Sequence, residues 1–330
     1  MEMFVGGKWI AGDSVVEVRS PFSGDVVDTV PVATPRDVET ALETAAEGAR
    51  IMAALPAHER ASILARAAEL VEADLDDLAA PITADTGKPI REGTAEASRV
   101  PALLRLSSAE ALRQFGEVLP MDAAPMGEGR LGFTIPEPCG VVVAITPFNF
   151  PALLVMHKLG PSLAAGNAVI LKPATSTPLT SLFLVKRLLE AGVPPQALQC
   201  ICGPGATIGE ALCTDERVRK VSFTGSREVG RRLTQVAGLK RLTCELGSNA
   251  ALIALGDADI DRVAAATVTN GFANAGQTCI SAQRVLVPQS LLEDFVDRLT
   301  AGVAALRPGD PPAPATTLGP LISASEAQRV

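Results

Sequence analysis

The sequence predicts an α/β protein in which a doubly wound parallel sheet is followed by the first part of a second α/β domain. Three observations carry this expectation. Short apolar runs such as Gly140 to Ile145 and Ala168 to Leu171 alternate with helix-forming stretches from residue 139 onward, and buried apolar strands joined by crossover helices imply a parallel sheet covered on both faces. At 330 residues the chain exceeds one ordinary domain. The alternation restarts at about Ser248 with a new helix, loop, strand and helix.

Taken in order, Met3 to Ile10 and Val15 to Arg19 alternate in polarity around Gly12-Asp13, which predicts a hairpin. Thr34-Pro35-Arg36-Asp37 opens a helix, with threonine as N-cap and proline at the first helical position. Ala57 to Ala80 and Glu92 to Phe115 carry apolar residues at three- and four-residue spacing and read as long amphipathic helices. From Cys139 the order is strand Gly140 to Ile145, helix Pro151 to Ala164, strand Ala168 to Leu171, helix Pro178 to Ala191 and strand Leu198 to Cys202. Helix Ala206 to Cys213, strand Val218 to Phe223, helix Ser226 to Val236 and strands near Arg241 to Leu246 and Ala251 to Ala254 follow. The second unit holds helix Asp259 to Asn274, strand Arg284 to Val287 and helix Ser290 to Leu306, and another helix begins at Ala324.

Composition narrows the function. The net charge is −8, from 29 basic and 37 acidic residues, with no basic run, which argues against nucleic acid and anionic membrane surfaces as partners. The uncharged run Cys139 to His157 is broken by Pro147, Asn149 and Pro151, so it reads as strand, loop and helix rather than a membrane span. Six cysteines, without a charged-then-apolar leader at Met1, fit a reducing cytoplasm. Cys200-Ile-Cys202 is too tight for the usual zinc spacing and only two histidines exist, so no metal site is expected.

The candidate chemistry gathers where strands end. Cys279, in Phe272-Ala-Asn-Ala-Gly-Gln-Thr-Cys-Ile-Ser281, follows a helix into a loop; alone it reads more readily as a small buried hydrophobe than as a nucleophile. Phe223-Thr-Gly-Ser-Arg-Glu-Val-Gly230 puts two glycines at a strand-to-helix turn, suited to a phosphate at a helix amino terminus or to an ordinary tight turn. Lys172 ends a strand where its ammonium reaches the ligand edge of the sheet, or solvent. Asn149, in Thr146-Pro-Phe-Asn-Phe-Pro151, offers an amide to an oxyanion or to its own turn. Glu245 closes an apolar strand as a base for water or as half of a buried ion pair.

Pro-Phe-Asn-Phe-Pro, Leu-Lys-Pro-Ala, Phe-Thr-Gly-Ser-x-x-x-Gly, Glu-Leu-Gly and Gly-Gln-x-Cys, in this order and spacing, resemble the aldehyde dehydrogenase superfamily. The resemblance runs from the amino end to Val330. It implies NAD- or NADP-dependent oxidation of an aldehyde, with Cys279 as the attacking thiolate, Asn149 and the Cys279 N–H at the oxyanion, Glu245 activating the hydrolytic water and Lys158 in a proton relay. It implies further that Lys172 binds the adenosine ribose and that Thr146, Pro147, Phe148, Phe223, Gly225, Ser226, Gly230 and Leu246 line the cofactor cleft.

On that reading, residues 1–120 and 139–247 form the cofactor-binding domain, 121–138 an oligomerisation hairpin and 248–330 an incomplete catalytic domain. The resemblance to a hairpin runs from Val118 to Pro136. A homo-oligomer is implied for the full-length form. Glu245 favours the hydrolytic branch over coenzyme-A acylation. Three positions depart from the pattern: Ser248 stands for the second glycine of Glu-Leu-Gly-Gly, His157 for a large aromatic, and Thr175 for a glutamate that favours NAD. Family members typically continue past this point with a Glu-x-Phe motif, so the expectation is a truncated chain. The alternative is an inactive homologue that binds dinucleotide or associates with a full-length subunit.

Overall fold

The computed structural model describes residues 1–330. Met3–Val5 (β1) and Lys8–Ile10 (β2) form a hairpin through Gly6 and Gly7, both at positive φ, while Val15–Arg19 (β3) pairs with Val26–Pro31 (β4). The expected pairing of Met3–Ile10 with Val15–Arg19 does not form. Two consecutive glycines accept the left-handed backbone of a two-residue hairpin, and that local signal outweighs Gly12-Asp13.

Helix α1 (Pro35–Ala54) starts as expected: the Thr34 hydroxyl accepts the Asp37 N–H and the Asp37 carboxylate accepts the Thr34 N–H, at 3.2 and 2.8 Å. The first long amphipathic stretch is two helices, α2 (Ala57–Ala73) and α3 (Leu75–Thr86). The second is α4 (Ile90–Ala97) and α5 (Val100–Ala111), broken where the Pro101 ring would meet the Ala97 carbonyl. Strands β5 (Val118–Leu119) and β6 (Gly132–Phe133) then form a small hairpin with Val118, Phe133 and neighbouring Ile135 exposed.

The parallel sheet follows the expected alternation. Its elements are β7 (Val141–Ile145), α6 (Leu153–Ala164), β8 (Ala168–Lys172), α7 (Leu179–Glu190), β9 (Leu198–Cys200), α8 (Glu210–Thr214), β10 (Val218–Thr224), α9 (Arg227–Val236) and β11 (Arg241–Glu245). A π-helical turn, Gly205–Gly209, occupies the first part of the helix expected from Ala206. The strand order is β11-β10-β7-β8-β9-β1-β2, with β1 and β2 antiparallel at one edge. The chain winds outward from β7 to β9 and resumes on the other side at β10. The switch point between β7 and β10 opens a crevice at their carboxyl ends. Val142, Val143, Ala144, Val169 and Ile170 are fully buried within a core of 56 residues. No helix is long and apolar enough to cross a membrane.

The second unit is smaller. Strands β12 (Ala251–Ile253) and β13 (Arg284–Leu286) pair in parallel across α10 (Ile260–Gly271), followed by α11 (Leu292–Ala304) and α12 (Ala324–Arg329). Its own core is three residues, Ile260, Ala264 and Phe295.

Candidate active site

Helix α10 stops at Gly271, and the next turn takes an uncommon backbone. Asn274, Ala275 and Gly276 have φ of 49°, 54° and 77°. Left-handed conformation is disfavoured for alanine because its Cβ crowds the following carbonyl, so the turn needs outside support. Glu92 of α4 accepts the Asn274 N–H at 2.9 Å, and the Gln277 amide donates to the Asn274 carbonyl at 2.9 Å. The Gln277 side-chain oxygen accepts the Ile322 N–H at 2.9 Å. The segment so held presents Cys279 exposed, and the hydroxyl of Ser248 donates to the Cys279 carbonyl. The Cys279 N–H has no hydrogen-bond partner within the chain.

Asn149 lies in the loop after β7. Its side-chain amide donates to the Gln277 carbonyl at 2.8 Å, its Oδ1 is buried without a partner, and Asn274 donates to its carbonyl at 3.3 Å. The two loops are therefore braced against each other. Ile145, Thr146, Pro147, Phe148 and Asn149 share a cavity of about 640 Å³ with Phe223, Gly225, Ser226, Glu245, Leu246 and Cys279. Of the residues assigned to the cleft from sequence, Thr146, Pro147, Phe148, Phe223, Gly225, Ser226 and Leu246 lie in that wall, and Gly230 does not.

The structure removes the ion-pair alternative at Glu245. Strand β11 is an edge strand whose side chains alternate between exposed and half-buried, so the Glu245 carboxylate is exposed and makes no ion pair. Nearby, Lys158 of α6 is buried and donates to the Ser222 hydroxyl at 3.2 Å. Burial brings its pKa down to about 8, with the negative charges of Glu245 and Cys244 opposing and Lys220 assisting. His157 is exposed, yet partial desolvation and then the charges of Arg99 and Lys158 hold its pKa below the ordinary value.

Lys172 ends β8 but is neither solvated nor in the wall of the Cys279 cavity. Its ammonium is buried and donates to the Pro173 carbonyl at 2.8 Å, and its chain lies under Gly205 and Gly209. Desolvation lowers its pKa. Ser226 caps α9, its hydroxyl accepting the Val229 N–H at 3.3 Å. A Cβ at Gly225 would stand 2.5 Å from the Phe223 ring, and one at Gly230 would stand 2.7 Å from Leu246. Those glycines let the turn close tightly over the helix amino terminus, a fit for a phosphate-bearing cofactor.

The model of the aldehyde dehydrogenase family matches residues 9–330. The chain belongs to the aldehyde dehydrogenase family. It is 42% identical to aspartate-semialdehyde dehydrogenase 1 of Pseudomonas canavaninivorans over 313 residues, 95% of this chain and 66% of that protein. The crystal structure of an aldehyde dehydrogenase from Brucella melitensis biovar abortus 2308 superposes with a TM-score of 0.96 at 36% identity, covering 99% of this chain and 68% of that one. PnpE from Pseudomonas sp. WBC-3, also solved in complex with nicotinamide adenine dinucleotide, gives a TM-score of 0.95 at 33% identity over 99% of this chain and 67% of its own. The chain spans about two thirds of the length of the relatives it matches.

Four residues brace this site through contacts that the sequence reading did not assign. Glu92 and Glu96 were read as part of a scaffold helix, although Glu96 accepts the Ala152 and Leu153 N–H groups at 2.9 and 3.0 Å and pairs with buried Lys88. Their spacing of four put both on one helical face beside apolar neighbours, which was the available signal. Gln277 and Ser248 act through backbone carbonyls, for which a sequence carries no distinctive pattern.

Proposed function

We propose that this chain carries the thiol and hydrolytic chemistry of an NAD- or NADP-dependent oxidation of an aldehyde to its carboxylic acid. The observation that carries the reading is that Cys279, Asn149 and Glu245 share one cavity with the glycine turn and helix amino terminus at Gly225 and Ser226. The cofactor is held by the walls of that cavity. Thr146, Pro147 and Phe148 form one side, Phe223, Gly225, Ser226 and Leu246 the other, with Gly230 close behind Leu246. Lys172, buried at the end of β8, is assigned to the ribose. Thr175 brings no carboxylate to oppose a 2′-phosphate, so both NAD and NADP fit the reading.

The Cys279 thiolate adds to the aldehyde carbon, forming a C–S bond and placing negative charge on the carbonyl oxygen. That oxygen is stabilised by the unpartnered Cys279 N–H and by the second N–H of the Asn149 amide, since one already serves Gln277. When bound, the nicotinamide supplies the hydride acceptor that turns the hemithioacetal into a thioester. Glu245, exposed to solvent in the same cavity, takes a proton from a water that attacks the thioester carbon, and the C–S bond breaks to release the acid. Lys158 extends the proton path, its amine near the charge of Glu245. The exposed β5–β6 hairpin is assigned to subunit contact.

Replacing Glu245 with Gln tests the assignment. A single burst of reduced cofactor with loss of steady-state acid formation is expected. Unchanged steady-state turnover would show that Glu245 is not the base.

A further inference from the structure

A second cavity, of about 600 Å³, lies on the other side of the cysteine segment. Thr278 lines both cavities, so the chain carrying Cys279 is the partition between them. Ile280, Phe150 and Phe272 give the second cavity an apolar wall beside the cysteine and the Asn149 loop. The second cavity reaches Thr278 and Ile280 on either side of Cys279, whose own side chain lines the first cavity.

The charges in this cavity do not cancel. Three cations and two carboxylates line it: Lys88, Arg91, Arg99, Glu92 and Glu96. Lys88 is used by its buried ion pair with Glu96 and lies 3.8 Å over the Phe150 ring. Glu92 holds the Asn274 N–H, and Arg91 donates to the Thr317 carbonyl at 3.1 Å. Arg99 follows α4 at the break before α5, and its guanidinium has no hydrogen-bond or ion-pair partner. Partial desolvation and then the charges of Arg99 and Lys158 lower the pKa of the neighbouring His157. Arg99 is exposed, and a planar fork of donors with no partner in the chain, in a mixed cavity whose wall includes Phe150, Phe272 and Ile280, matches a carboxylate or similar oxyanion.

We propose that Arg99 selects aldehydes carrying an anionic group at the end remote from the aldehyde carbon, gripping that group while the carbonyl faces Cys279. This rests on the aldehyde-oxidising reading of the same site. Arg99 binds the tail and sets specificity, while Glu96 and Lys88 are satisfied by each other and take no part in it.

The test compares 4-oxobutanoate with butanal, which differ only in carboxylate against methyl at the far end. The intact chain is expected to favour 4-oxobutanoate in kcat/KM. In Arg99→Gln the ratio of the two kcat/KM values is expected to fall about ten- to a hundredfold, the range for losing a hydrogen bond to a charged group. Arg99→Lys, which keeps the charge and loses the fork, should fall between. A second readout needs no turnover: succinate should slow iodoacetamide labelling of Cys279 more than butyrate does, and Arg99→Gln should abolish the difference. An unchanged ratio, or succinate protection that survives Arg99→Gln, would overturn the proposal. If neither aldehyde is oxidised, the functional reading fails, and the labelling experiment still decides the role of Arg99.

Discussion

The carboxylate of Glu92 accepts the backbone N–H of Asn274 at 2.9 Å, so a helix from the first third of the chain holds the first left-handed residue of the turn that presents Cys279. Burial raises the pKa of Glu92, with the Asn274 bond and the charges of Lys88 and Arg91 opposing. Removing the carboxylate strands a buried N–H, at a cost of roughly 1–3 kcal/mol, and frees Ala275 to leave its disfavoured conformation. Glu92→Ala is expected to lower kcat by about tenfold or more through misplacement of the thiol, and to lower the thermal midpoint by several degrees. Glu92→Gln keeps an acceptor and should lose less. Steady-state kinetics with differential scanning calorimetry check both, and wild-type kcat in Glu92→Ala would remove Glu92 from the positioning of Cys279.

A second expectation concerns pH. Lys158, buried against Ser222, has its pKa brought down to about 8, so its amine becomes free to accept a proton as pH rises through that value. If it relays a proton, turnover should climb through pH 8. Lys158→Met removes the acceptor and should remove that limb of the profile, and Lys158→Arg places a permanent charge there. Stability gives an independent sign. Between about pH 8 and the ordinary lysine value the unfolded chain binds the proton that the folded chain has released, so wild-type stability rises with pH in that window. Lys158→Met should lose this rise. A pH–rate profile identical to wild type in Lys158→Met would exclude the relay.

The legible and illegible parts of this site differ in physical kind. Asn149 and the turn at Gly225 stood out because each sits where backbone geometry restricts the residue type, a loop between prolines and a helix amino terminus, whereas Cys279 could be read only from the joint order and spacing of the motifs around it. The sheet was legible because strands such as Val141–Ile145 are buried on both faces and therefore uniformly apolar. The exposure of Glu245 was not legible because β11 lies at the sheet edge, and edge position is a property of strand order. The burial of Lys172 was not legible for the complementary reason, since the Gly205–Gly209 turn that covers it arrives from the next crossover. Ser248 and Arg99 act across separations that no local pattern encodes, whereas Glu92 shares a helical face with Glu96 beside apolar neighbours. Ala275 at φ 54° was hidden because alanine does not advertise a left-handed backbone.

Asp85 of α3 provides a test of the scaffold apart from the chemistry. It is fully buried, its Oδ2 accepts both the N–H and the hydroxyl of Thr180 at 2.9 Å at the start of α7, and its Oδ1 has no partner. Burial raises its pKa to about 7, against the lowering effect of the Thr180 and Leu179 donors. The folded chain thus holds a proton here that the unfolded chain releases near pH 4. The associated stability is fully present below the unfolded pKa and is lost as pH rises towards 7, at about 1.4 kcal/mol per pH unit. Asp85→Asn keeps an acceptor for Thr180 and removes the titration. Urea unfolding at pH 5, 6, 7 and 8 should show Asp85→Asn gaining on wild type up to about pH 7 and holding that lead above it. A difference between the two proteins that is constant across this range would mean that Asp85 is already ionised in the folded chain at pH 5, its charge carried by the Thr180 and Leu179 donors despite its burial.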